Sequence, residues 1–296
     1  MRAALADGGS ADPFASRLVA IFGQKHAQIR FIRGMKPRIL ICNDDGVYSP
    51  GIACLAKVAS RFGDVRIVAP DVEQSSMGHA ITSSRPLRYQ RTPLPGGFDA
   101  YRVNGTPADC VALGTYLWER VSLVLSGINL GPNLGSACWH SGTLAAAKQA
   151  ALLGLRGIAF STAVGVTDKT PDFSSLEPYA DKVLELLLKE EKMSLVNVNV
   201  PEKPKGIRWT RQAIKQYDGK VVPGKDPMKR AIYWFTVKPL EGEEEGTDRW
   251  AFGKHFVSIT PLRLDLTDEK DLARVLALPI TPTQPARRKK SAKSRK

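Results

Sequence analysis

Asn43, Asp44, Asp45 and Gly46 stand in one unbroken run directly after the apolar stretch Arg38–Cys42. Two adjacent carboxylates repel each other unless a cation sits between them or a proton neutralises one. A divalent ion would relieve that conflict, and it could polarise a phosphoryl oxygen and activate a water. A plain turn is the competing reading, because Asp and Asn are common turn formers. Two more clusters weigh toward the ion. One is Asp71, Gln74, Ser75 and Ser76, and the other is Gly127, Asn129, Gly131, Asn133 and Gly135. Both are rich in oxygen donors and glycine, while His and Cys are nearly absent from them. Hard oxygen ligands favour Mg²⁺, Mn²⁺ or Ca²⁺ over zinc.

Ser141, Gly142 and Thr143 open an alanine-rich helical stretch. A helix N-terminus attracts phosphate through its free N–H groups and its dipole. Glycines 46, 127, 131, 135 and 142 would let backbone N–H groups approach an anion. Ser141 could equally be an ordinary N-cap. The region has neither a G-x-x-x-x-G-K-[ST] loop nor a G-x-G-x-x-G fingerprint, which disfavours nucleotide-driven motors and ordinary dinucleotide dehydrogenases. His79 and His140 lie near the candidate loops, as substrate contacts, proton shuttles or simple loop residues.

The elements that must position these residues follow a strand–helix alternation. Arg38–Cys42, Asp64–Ala69, Leu123–Ser126, Gly157–Ser161 and Leu195–Val200 read as strands. Helices are expected from Pro50 to Phe62, from Pro107 past Leu117 with Thr106 as N-cap, from Ser141 to Leu153, and from Glu177 to Lys189. Such alternation predicts an α/β fold with a Rossmann-like, mostly parallel sheet and flanking helices. In that architecture ligands bind beyond the carboxyl ends of the strands, where the clusters above lie. After Pro201 the texture changes. Ile207–Thr210, Ile232–Lys238 and Phe256–Pro261 are β-like, with turn residues between. The expected organisation is an appendage over 1–35, a catalytic domain over 36–278 and a disordered basic tail over 279–296. The domain divides into a core over 36–200 and a β-rich extension over 201–278. Met35 directly precedes the first strand, so a start there competes with a genuine N-terminal extension.

Composition narrows the class. The net charge is +14, but the last ten residues carry seven positive charges and no negative ones. The high charge is therefore mainly a property of the tail, where salt-dependent nucleic-acid contact is one reading and a solvated tail the other. No apolar run approaches the roughly 20 residues of a membrane helix, and a cytoplasmic location is expected. Cys42, Cys54, Cys110 and Cys138 form no C-x-x-C pair and read as small buried hydrophobes.

At these residues the sequence resembles the SurE family, the survival proteins that act as 5′/3′-nucleotidases. The matching stretches are ILICNDDGVYSPGI (39–52), VAPDVEQSSMGHAIT (68–82), NGTPADCVALG (104–114), SGINLGPNLG (126–135), SGTLAAA (141–147) and VSITPLRLDLT (257–267). The likeness runs from about Lys36 to Asp268. It implies Asp44, Asp45, Ser75 and Asn129 as ligands of one Mg²⁺ or Mn²⁺ ion. It implies Asn43, Asn133, Ser141 and Thr143 as phosphate-side residues, with Asp44, Asp45, Asn133 and Ser141 carrying catalysis. It also implies C-terminal hairpins that assemble homodimers or homotetramers, and nucleoside monophosphates or other phosphate monoesters as substrates. The chain departs from the family pattern at Ser136–His140, where Asp or Asn and then Tyr are usual, and at Gln149, where Glu is typical. These departures bear on substrate preference. They also motivate the alternative of a non-catalytic nucleotide-binding or regulatory protein on the same scaffold.

Overall fold

The computed structural model describes residues 36–163, 172–190, 192–214, 217–239, 242 and 244–278. The expected N-terminal extension, its start at Met35 and the basic tail lie outside these residues.

The chain runs through β1 (Arg38–Cys42), α1 (Pro50–Ala59), β2 (Asp64–Pro70), β3 (Tyr89–Arg91), β4 (Asp99–Val103), α2 (Pro107–Leu117) and β5 (Val121–Leu130). It continues with a 3-10 turn (Gly135–Trp139), α3 (Gly142–Leu152), β6 (Arg156–Thr162), a second 3-10 turn (Ser174–Leu176), α4 (Glu177–Lys189) and β7 (Leu195–Val200). Then come β8 (Gly206–Trp209), β9 (Tyr217–Lys225), β10 (Ala231–Pro239), α5 (Asp248–Gly253), β11 (Phe256–Leu262) and α6 (Glu269–Leu276). Nine strands form one sheet in the order β3-β4-β2-β1-β5-β6-β7-β11-β8. Only the β3–β4 and β7–β11 pairs are antiparallel. The mostly parallel sheet matches expectation. The β-rich extension, however, contributes two strands to it, so the sheet does not end at Val200.

A parallel sheet is buried on both faces, which is why Ile39–Cys42 of β1 and Ile158–Phe160 of β6 are apolar and buried. Ile39, Ile41, Leu125, Phe160 and Val198 pack against Leu55 of α1 and Val183 and Leu187 of α4. On the other face Leu40, Cys42 and Val124 meet Cys110 of α2 and Ala146 of α3. Each fully buried Ile, Leu or Phe here contributes on the order of 1.5–3 kcal/mol. Thr106 caps α2 in a reciprocal box with Asp109, and Ser141 caps α3. All four cysteines are buried and unbridged.

β9 and β10 pair only with each other as a two-stranded antiparallel hairpin. Among the described residues, 265–278, including α6, form a separate unit. Among the described residues no helix is long and apolar enough to cross a membrane.

Candidate active site

The loop after β2 and the start of α3 meet the loop after β1 at Asp44, and the end of β5 meets it at Asp45. The Asp44 backbone carbonyl accepts from Gln74 N–H at 2.7 Å, which fixes the loop after β2 against the loop after β1. Its side-chain Oδ1 accepts from Thr143 Oγ1 at 2.6 Å. Helix α3 comes this near because residue 142 is glycine. A Cβ there would stand 2.7 Å from Asp44 Cβ and 3.0 Å from its Oδ2. Asp44 is buried, and burial raises its carboxyl pKa, with the Thr143 hydroxyl pulling the other way. Asp45 is pushed up to about 7, chiefly by burial and next by the charge of Asp44, against a hydrogen bond from the Leu130 backbone. The pair therefore carries the electrostatic conflict expected of it.

Asn129 reaches the same side of the sheet by an irregularity. Ser126 pairs with Ala159, yet Asn129 pairs with Ser161, so β5 uses one residue more than β6 across this step. Leu123 and Leu125 face α1 and α4, while Val124 faces α2 and α3. Strict alternation would send Asn129 to the α1 side. The extra residue brings it to the α3 side with Ser161. Asn129 gives its Nδ2–H to Gly131 O at 2.7 Å, which leaves the amide oxygen as the end suited to a cation. Ser75 is exposed, one residue beyond Gln74.

The donor set fits a hard divalent ion: two carboxylates in conflict, an amide oxygen and a hydroxyl. Among the described residues no group of three or more His, Cys, Asp or Glu side chains is gathered. A cage of the kind built by several charged ligands is thus absent from those residues, and a site of this type retains several waters.

The anion-side candidates divide. Ser141 Oγ accepts from Leu144 N–H at 3.1 Å as the N-cap, and its own hydrogen can still donate. Thr143 points its hydroxyl hydrogen at Asp44, so it orients a carboxylate. Asn133 Nδ2 reaches Ser161 Oγ at 2.9 Å and Thr143 Oγ1 at 3.5 Å. Asn43 is fully buried, and its two amide hydrogens go to Gly46 O at 3.0 Å and Ser49 Oγ at 2.7 Å. Its buried Oδ1 has no partner. In this geometry Asn43 shapes the turn, and its side chain offers no donor to a phosphate. His79 Nε2 lies 2.9 Å from Gln149 Oε1, and the His140 carbonyl accepts from Gly78 N–H at 3.0 Å.

Several supporting residues were not foreseen. Asn199 Oδ1 accepts from Asn133 N–H at 2.8 Å, and Asn197 Nδ2 donates to Asn133 O at 2.8 Å. The alternation Val196-Asn197-Val198-Asn199-Val200 held the signal. An otherwise apolar central strand with amides at every second position must satisfy them on one face. Asp248 and Gln212, which both bond to Gly135, carried no such signal.

A family model described as survival protein SurE matches residues 39–219. The chain belongs to the SurE family. It is 46% identical over 235 residues to "5'-nucleotidase SurE 1" of Thermus thermophilus, covering 78% of this chain and 93% of that protein. It is 43% identical over 254 residues to "5'-nucleotidase SurE" of Deinococcus radiodurans, covering 83% and 94%. The crystal structure of a SurE protein from Aquifex aeolicus superposes with a TM-score of 0.69 at 39% identity, covering 81% of this chain and 98% of that one. The SurE match contains Asp44, Asp45, Ser75, Asn129, Asn133, Ser141 and Thr143, together with the departures at 136–140 and Gln149.

Proposed function

We propose that this chain is a divalent-metal-dependent 5′/3′-nucleotidase that hydrolyses nucleoside monophosphates, with other phosphate monoesters as further substrates. The observation that carries the reading is the Asp44–Asp45 pair, of which Asp44 is pressed against the N-terminus of α3 and oriented by Thr143. Its SurE relatives named as 5′-nucleotidases support the substrate class. In this reading Asp44, Asp45, Asn129 and Ser75 would hold Mg²⁺ or Mn²⁺. The ion would supply Lewis-acid charge to the phosphoryl group. The chain's own part is positioning, as phosphoryl transfer needs little covalent chemistry from the protein. The Ser141 hydroxyl and the positive end of the α3 dipole would face a phosphoryl oxygen, while the Leu144 N–H is taken by Ser141 and the Gly142 and Thr143 backbones act on Asp44. Asn133 Nδ2 stands beside this helix start, 3.5 Å from Thr143 Oγ1. Burial of Asp44 limits the number of waters that compete for its charge.

The exposed Val221, Tyr233, Trp234 and Phe235 on the β9–β10 hairpin support self-association as a homodimer or homotetramer. Four buried, unbridged cysteines support a reducing compartment such as the cytoplasm. The test is release of phosphate from AMP with Mn²⁺ or Mg²⁺. Turnover should need the ion, vanish with chelator and be lost in Asp45→Asn. Undiminished turnover in Asp45→Asn, or none from any nucleoside monophosphate, would overturn the reading.

A further inference from the structure

The β9–β10 hairpin leaves the body of the protein between two residues that hold one glycine. Gln212 precedes the hairpin and Asp248 follows it. Gln212 Nε2 donates to Gly135 O at 2.7 Å, and Gly135 N–H donates to Asp248 Oδ2 at 2.8 Å. Both polar groups of the Gly135 backbone are thereby bound from the C-terminal region. Gly135 has a φ of 50°, in the left-handed region, and opens the 3-10 turn leading to Ser141.

The two stems are also joined to each other. Asp248 N–H donates to Arg211 O at 2.9 Å, Arg211 N–H donates to Gly246 O at 3.0 Å, and Ala213 N–H donates to Asp248 Oδ1 at 2.9 Å. The Asp248 carboxylate is fully buried. Capping α5 does not require it, because Thr247 Oγ1 already accepts from Trp250 N–H as the N-cap. A buried carboxylate is costly unless its hydrogen bonds offset that cost. Here it accepts them from the backbone N–H groups of Gly135, Ala213 and Arg249.

The segment between Asn133 and Ser141 is thus pinned at intervals. Asn199 and Asn197 hold the backbone of Asn133, Gln212 and Asp248 hold Gly135, and Lys148 Nζ donates to Cys138 O at 2.9 Å. Thr143 then joins this segment to Asp44. We infer that Gln212 and Asp248 are positioning residues for phosphate-ester hydrolysis. They hold the Gly135 turn so that Asn133 and Ser141 keep their places beside Asp44, and they tie the hairpin region to the site. The inference rests on the nucleotidase reading above.

Gln212→Ala is the primary variant, since Gln212 is only half-buried and its loss leaves the core intact. Asp248→Asn is the second, because an amide can accept from only one side and must turn a donor toward Gly135 or Ala213. The measurements are steady-state turnover of AMP with Mn²⁺, inhibition by inorganic phosphate, and Mn²⁺ affinity by calorimetry. For Gln212→Ala, KM for AMP and Ki for phosphate should rise about fivefold to tenfold, in line with the loss of one hydrogen bond. Mn²⁺ affinity should stay within about twofold, because Asp44, Asp45 and Asn129 are untouched. Asp248→Asn should move the same constants further. Unchanged KM and Ki in both variants would overturn the inference, even with a lowered melting temperature. Equal losses of phosphate and Mn²⁺ affinity would overturn it too, as general damage. A wild-type protein that neither turns over AMP nor binds phosphate would sink the nucleotidase reading first, a result distinct from either.

Discussion

Thr143 Oγ1 donates to Asp44 Oδ1 across 2.6 Å, joining the first turn of α3 to the end of β1. The bond commits one carboxylate oxygen to Thr143, and the Gly142 and Thr143 backbones also favour the ionised form. Replacing Thr143 by Val keeps the shape and removes the donor. Turnover should fall roughly tenfold, as expected when a hydrogen bond to a charged group is lost. Thr143→Ser should retain most of it. Steady-state assays with saturating Mn²⁺ and AMP separate the two.

Asp45→Asn should divide activity from stability. Divalent-dependent turnover should fall by at least about a hundredfold. Without metal, the same change relieves the repulsion between Asp44 and Asp45, so the melting temperature in chelator should rise. Thermal melts with and without Mn²⁺ check both halves, because added Mn²⁺ should stabilise the native protein and fail to stabilise the variant.

The Asp45 carboxyl also sets a pH window. Its folded pKa is about 7, above the ordinary 3.8, because of burial and then the charge of Asp44. A folded state that binds its proton more tightly than the unfolded chain is favoured at low pH. That contribution is complete below about pH 3.8 and is lost as pH rises through 7. Chelated protein should therefore lose stability between pH 5 and 8 more steeply than Asp45→Asn. Mn²⁺ competes with the same proton, so its apparent affinity should rise over this range and level off above 7. Calorimetry in buffers of different ionisation enthalpy should show proton release on binding at pH 6 and little at pH 8.

Gly142→Ala would place a methyl group against Asp44 at 2.7 Å from its Cβ. Helix and carboxylate must then separate. Turnover should drop roughly a hundredfold, the scale associated with a misplacement near 1 Å. Circular dichroism should remain that of the native fold, because alanine suits a helix better than glycine.

Much of this was legible in the chain. Glu177–Lys189 and Leu195–Val200 were bounded at their ends by apolar spacing. Thr106 with Pro107, and Ser141 before an alanine run, marked helix starts by cap chemistry. β4 was missed because Asp99 and Arg102 interrupt a short strand. β9 was missed because Gly219, Pro223 and Gly224 read as turn residues, whereas an isolated hairpin tolerates proline at its open edge. In the site, the adjacent Asp44 and Asp45 stood out as a pair. The ties of Asp44 to Thr143 and of Gly135 to Asp248 span 99 and 113 residues. No local spacing expresses contacts of that range, because they exist only once the sheet has closed.

The additional residue in β5 between Ser126 and Asn129 makes this site sensitive to chain length as well as to chemistry. Deleting one residue there would leave Asp44, Asp45, Asn129 and Thr143 all present in the sequence. It would nonetheless turn the Asn129 amide to the opposite face of the sheet, among the apolar side chains of α1 and α4. A one-residue deletion would do what no conservative substitution can, removing a proposed ligand from the site while every proposed ligand residue remains in the chain.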